Sequence, residues 1–455
     1  MNEPLSPLIR WRHMGAGLCA ALLATALSSS SAAAEPPPKR ATPDYDGRGE
    51  ESTAGDAALW VPRIVLAPLY LVSEFLIRRP LGAFVSWAER SNFPKAVYDL
   101  FTFGPDHSAG FAPIGFIDFG FNPSVGAYVF WNDAFAKGND IALHATTWGA
   151  DWLAGVVTDR VRLDETKSAT FRFAGVKRPD YRFHGIGPDS RDGDRSRYAQ
   201  DTVDGRVAFD MRLWRSSRIE TVSGLKAVWF GNGSYDQEPG ILNAVSEGKY
   251  ALPDGFARGY TSQYNGVRAA FDTRPRGTAT QSGVRVEFDG SQGNDLRRSP
   301  SAGWLRYGGG IGGFLDLNDH GRVVSASLST QFVDPLGTEP VPFTELVTIG
   351  GDGPMRGFLP GRLLGRSSAV ASLRYRWPIW VSLDGAMEAS VGNVFDEHLK
   401  GFAAKKLRFS AALGIETVGS PDSAFQLLFG IGTETFEQGT SVDSVRLVIG
   451  TNRGF

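Results

Sequence analysis

Residues 406–418 read Lys-Leu-Arg-Phe-Ser-Ala-Ala-Leu-Gly-Ile-Glu-Thr-Val. Leu407, Phe409, Ala411, Leu413 and Ile415 fall on one face of an extended chain, and Arg408, Ser410, Ala412, Gly414 and Glu416 on the other. A period of two marks a strand with unlike faces. Residues 423–432 repeat it with Phe425, Leu427, Phe429 and Ile431, and residues 283–289 set Val284, Val286 and Phe288 against Arg285, Glu287 and Asp289. A soluble sandwich shows the same alternation, so the connections have to discriminate.

Working outward from this stretch, the pattern predicts sixteen strands, at about 112–120, 124–133, 139–147, 152–162, 166–176, 199–213, 217–230, 258–273, 279–290, 303–316, 321–333, 367–379, 382–395, 406–418, 423–432 and 443–455. Connections after even-numbered strands are short. The long ones, 177–198, 231–256, 291–302 and 334–366, all follow odd-numbered strands. Short turns on one rim and long loops on the other describe an all-β, 16-stranded antiparallel transmembrane barrel in a bacterial outer membrane, short rim periplasmic.

Ahead of residue 112 the composition changes three times. Residues 1–34 read as a signal peptide, with Arg10, Arg12 and His13 before the apolar run 14–27, and Ala32-Ala33-Ala34 as the cleavage site. Cys19, the single cysteine, lies inside it. Residues 35–57, rich in Pro, Asp, Glu and Gly, read as a disordered linker. Residues 58–111 are apolar but broken by Pro62, Pro68, Pro80 and Pro94 and interrupted by Arg63, Glu74, Arg78 and Arg79. They read as helices at the periplasmic face, or as a plug in the barrel mouth.

Charge is balanced, 47 Lys+Arg against 49 Asp+Glu, which gives no reason to expect nucleic acid as a partner. None of the six histidines pairs at metal spacing, and no nucleophile elbow, phosphate loop or dinucleotide fingerprint occurs. The expectation is therefore a chain that is not an enzyme, with no cofactor and no metal. Asp189, Asp192 and Asp194 read as a solvated loop, with calcium as the alternative.

The motifs carry a resemblance. Gly350-Gly351-Asp352-Gly353-Pro354-Met355-Arg356-Gly357-Phe358 falls in the loop between the eleventh and twelfth strands; Ser372-Leu373-Arg374-Tyr375-Arg376-Trp377-Pro378 follows it. Phe271-Asp272-Thr273-Arg274 with Gly283, and Arg182-Phe183-His184-Gly185-Ile186-Gly187 before Tyr198, precede it. Together these resemble the bacterial surface antigen superfamily, which includes BamA, TamA and the two-partner-secretion transporters, over 113–455. The resemblance implies that the loop folds into the barrel and that Gly350, Gly351, Arg356, Gly357 and Phe358 lock it against the thirteenth strand. Where the family has an aspartate this chain has Ser390; Glu388, two residues earlier and on the same wall, is the expected substitute partner. A terminal Phe455 matches the insertion signal of such barrels, although Arg453 interrupts its apolar face.

The family's periplasmic POTRA domains are not expected in 35–112. The implied function is assembly of outer-membrane proteins, or translocation of a polypeptide or lipid. The implied partners are outer-membrane lipid, the barrel-assembly machinery during insertion, and an unfolded polypeptide or lipid client. A passive or gated pore and a lipid-acting enzyme are the alternatives.

Overall fold

A computed structural model describes residues 99–452, apart from 117–118, 276–281, 299–300, 318–320, 352, 381–382 and 418–423. The expected signal peptide, linker and most of the 58–111 segment, together with Phe455, lie outside the described residues.

Among the described residues sixteen long strands follow one another: β1 (Ala109–Phe116), β2 (Ser124–Trp131), β3 (Asn139–Thr147), β4 (Leu153–Arg162), β5 (Lys167–Phe183), β6 (Ser196–Arg212), β7 (Arg218–Asn232), β8 (Tyr260–Asp272), β9 (Gly283–Asp295), β10 (Gly303–Asp316), β11 (Val323–Pro335), β12 (Ser367–Trp380), β13 (Leu383–Phe395), β14 (Arg408–Thr417), β15 (Ala424–Thr433) and β16 (Val442–Asn452). Each pairs antiparallel with the next, and a two-residue strand, Thr102–Phe103, pairs with the start of β1. A separate small hairpin, Val347–Ile349 with Leu363–Gly365, lies within the β11–β12 loop. Among the described residues no helix is long and apolar enough to cross a membrane.

Several boundaries differ from the sequence reading by a few residues. The first strand begins at Ala109, three residues before the expected 112. β9 is shifted toward its C-terminal end. β5 runs on to Phe183 instead of ending near 176, because the register slips between Arg178 and Tyr181. Pro179 cannot donate to the ladder, and a bulge absorbs it. The long connections, residues 184–195, 233–259, 336–366 and 396–407, all follow odd-numbered strands; the expected long loop 291–302 shrinks to 296–302 because β9 runs on to Asp295.

The two faces of the sheet differ as the alternation requires. One exposes Phe171, Phe173, Val203, Val207, Val267, Phe271, Val284, Val286, Phe288, Ile311 and Leu328, with Phe173 59% and Phe288 52% exposed. An exposed belt of this size suits a bilayer, in which a barrel wall turns its apolar side chains outward. The other face is polar along the strands. At the long-loop rim it is covered by an aromatic-rich core that joins Phe183, Tyr198 and Tyr260 to Phe256 of loop 233–259 and to Phe343 and Leu346 of loop 336–366. The sheet rolls far enough that loop 184–195 reaches β14: Arg408 Nη2 donates to the Pro188 carbonyl at 3.4 Å and also to that of Ser190.

Candidate functional site: the inward loop and its locks

The site is the β11–β12 loop. Gly350 and Gly351 have φ of 97° and 64°, in the left-handed region that favours glycine, and Gly350 N–H donates to the Pro354 carbonyl at 2.8 Å. This tight turn throws residues 355–358 across the polar face of β13–β15. Met355, held at φ 64°, and Phe358 are fully buried, packing with Ile349, Leu363, Val370 and Val394.

Gly357 makes the closest approach. Its N–H donates to Ser410 Oγ at 2.9 Å, and a Cβ there would stand 1.9 Å from the Ile431 carbonyl oxygen. The wall is hollowed to receive it: a Cβ on Gly432 would strike the Phe358 ring at 2.6 Å. Arg356 then meets Glu388 of β13, Nη1 to Oε2, at 3.3 Å. Ser390 donates to the other carboxylate oxygen at 3.3 Å and lies 2.8 Å from Ser372 on β12. The structure thus brings Gly350, Gly351, Arg356, Gly357, Phe358, Glu388 and Ser390 into one constellation.

A second ionic lock lies beside it. Arg362, from the same loop, reaches Asp443 at 2.8 Å and Glu434 at 3.6 Å. Arg408 reaches the same Glu434 at 2.6 Å and Asp443 at 3.4 Å. Arg362 also donates to Ser190 Oγ at 2.9 Å, so loop 184–195 is pinned onto loop 336–366. His184 is buried at its root, with Nε2 3.5 Å from Asp192 Oδ1. Burial, and the guanidinium groups of Arg362 and Arg182, push its pKa down to about 3, while Asp192 opposes them. Sequence reasoning missed Arg362, Arg408, Glu434 and Asp443; the polar face of 406–418, which contains Arg408, was the available signal.

The remaining motifs fall at other places. Asp272 is clasped by Arg274 at 2.6 Å and Arg285 at 3.4 Å on the short-turn rim, with Arg274 over the Phe314 ring. Asp189 pairs with Lys406, and Asp192 faces His184 and Arg195. Among the described residues no cluster of potential metal ligands occurs.

The Omp85 superfamily domain matches residues 166–451, well over half of the chain. The chain belongs to the Omp85 superfamily. The match runs from β5 to β16 and contains both locks. The solved structure of BamA from Haemophilus ducreyi lacking POTRA domains 1–3 is similar at a TM-score of 0.52 and 14% identity, covering 76% of this chain and 70% of that one. CdiB from Acinetobacter baumannii is similar at a TM-score of 0.45 and 12% identity, over 74% of this chain and 58% of that one. No curated protein sequence matches. The first likeness supports the fold, and the superfamily places this Omp85 chain in the outer membrane.

Proposed function

We propose that this Omp85 chain assembles outer-membrane proteins, or translocates a polypeptide or lipid, and that at rest loop 336–366 is locked inside its barrel. The observation that carries the reading is the buried Arg356–Glu388 pair. A loop held by an ion pair and a glycine contact can be released as a unit, and a client has room only once it is. Membership of the Omp85 superfamily supports handling of an outer-membrane or secreted client. The reading assigns no catalytic residue and no cofactor.

Depletion of the protein, followed by a quantitative inventory of outer-membrane proteins and lipids, tests this. Selective loss of a set of outer-membrane or secreted proteins, or of one lipid class, is expected. An unchanged inventory with altered uptake of small solutes would favour a gated pore instead.

A further inference from the structure

The polar face of β4–β8 carries a cationic row that neither lock uses. Thr158 of β4 opposes Arg172 of β5, Arg172 opposes Arg206 of β6, Arg206 opposes Gly224 of β7, and Gly224 opposes Tyr264 of β8. These residues alternate along their strands with Phe171, Phe173, Val207 and Leu225 of the exposed apolar belt, so they lie on the opposite, polar side. Two guanidinium groups thus stand directly across one ladder, an arrangement that is destabilising unless an anion offsets it.

Only part of that charge is offset. Asp204 lies 3.4 Å from Arg172, and the Tyr264 hydroxyl donates to the same carboxylate at 2.7 Å. Among the described residues no carboxylate stands within ion-pair distance of Arg206. The Arg172 side chain remains 30% exposed, open enough for a solute to reach. The row is also shaped around Arg206. A Cβ on Gly224 would stand 2.6 Å from the Tyr264 ring and hydroxyl and 2.9 Å from the Arg206 Cβ. A glycine inside a strand gives up side-chain packing, and what it makes room for here is the phenol beside Arg206. Further along the same face, Lys226 takes Glu345 of loop 336–366, to which the Tyr260 hydroxyl also donates. The wall therefore already accepts an anion from outside the sheet at Lys226, and has no counterpart for it at Arg206.

We propose that Arg172 and Arg206 form a phosphate-binding site on this face, with Thr158 as a further donor. A carboxylate brings a single charge, and Asp204 already supplies one. A phosphate monoester brings about −1.5 to −2 at pH 7 and three acceptor oxygens, so it takes a bond from each guanidinium and one from the Thr158 hydroxyl. Guanidinium forks match phosphate oxygens in pairs, which a point-charge ammonium does not. The ligand is free phosphate or the phosphate of a lipid headgroup, and the chemistry of recognition is the same. As the recognition point for a phosphate-bearing client the site rests on the function proposed above; the binding itself does not.

The test follows thermal unfolding of the purified full-length protein in a glucoside detergent, with millimolar phosphate replacing chloride at constant ionic strength. The unfolding temperature should rise and saturate, because a ligand of the folded state stabilises it. Arg206→Gln should unfold no earlier than the parent in chloride, since it removes a like charge and not a bonded partner. Its response to phosphate should fall at least severalfold, which separates binding from the general salting effect that acts on both proteins. Arg206→Lys keeps the charge without the fork and should retain part of the response. A stronger response to glycerol 3-phosphate than to inorganic phosphate assigns the site to a lipid headgroup; equal responses assign it to phosphate as such. No response in the parent, or an undiminished one in Arg206→Gln, overturns the proposal. A response to polyglutamate in place of phosphate would give the row to an acidic polypeptide, and overturns it too. None of these readouts needs client transport or loop release, so a failure here leaves the loop lock standing, and an unchanged outer-membrane inventory leaves the binding standing.

Discussion

Arg356 and Glu388 face one another at 3.3 Å, the arginine 1% and the glutamate 8% exposed. The two come from a loop tip and from the middle of β13, and Glu388 opposes Arg374 across the ladder. Position 390, where the resemblance calls for an aspartate, holds a serine whose hydroxyl donates to Glu388. The carboxylate stands two residues from that position on the same wall, and the serine at that position holds it.

Truncating either partner breaks a buried ion pair, which costs about 3–5 kcal/mol. Arg356→Ala and Glu388→Ala should each lower the thermal unfolding temperature in detergent. The double variant should be less destabilised than the sum, by about 1–3 kcal/mol of coupling. Strict additivity would remove the pair from the account.

Gly357→Ala should reproduce the Arg356→Ala phenotype without touching a charge. A Cβ only 1.9 Å from the Ile431 carbonyl meets backbone that cannot swing aside. The expected readout is faster proteolysis within loop 336–366 while the strands retain their circular dichroism.

Asp443→Ala should loosen a different loop. Arg362 and Arg408 would then share Glu434 alone, and Arg362 would hold Ser190 less firmly. Trypsin cleavage after Arg191 or Arg195 is expected to accelerate, while the mobility of the folded barrel is unchanged.

His184 predicts an acid sensitivity. Its folded pKa, about 3, lies below the usual value of 6.5, so the unfolded chain takes up a proton first as pH falls. Stability from this residue is full above about pH 6.5 and declines toward pH 3. Asp192, depressed chiefly by its approach to His184, contributes stability that is lost only below the ordinary carboxylate range. A His184→Gln variant should therefore show a flatter unfolding temperature between pH 6.5 and 4 than the parent. Equal slopes would contradict this.

The strands were legible because the bilayer forces each one to separate apolar from polar residues, and the loop lengths gave their direction. The inward tip was legible in part: Arg356 needs an anion, and the two-residue spacing of Glu388 and Ser390 places both on one wall. The second lock was not legible. Arg362, Arg408, Glu434 and Asp443 meet only because the sheet rolls and loop 184–195 folds over them, and no local pattern encodes that closure. Phe256 and Phe343 bury the long-loop end although no strand periodicity marks them, because only the folding of the loops over the rim brings them together. The extension of β5 past Pro179 was hidden because proline there reads as a strand end.

The central claim is that loop 336–366 is locked inside the barrel by Arg356 and Glu388. Single-channel recording of purified protein in planar bilayers tests it most directly. The account predicts a parent that conducts little and opens seldom, an Arg356→Ala variant with larger or more frequent openings, and partial recovery in the swapped pair Arg356→Glu/Glu388→Arg. A parent that is already constitutively wide, or an Arg356→Ala variant indistinguishable from it, would contradict the account.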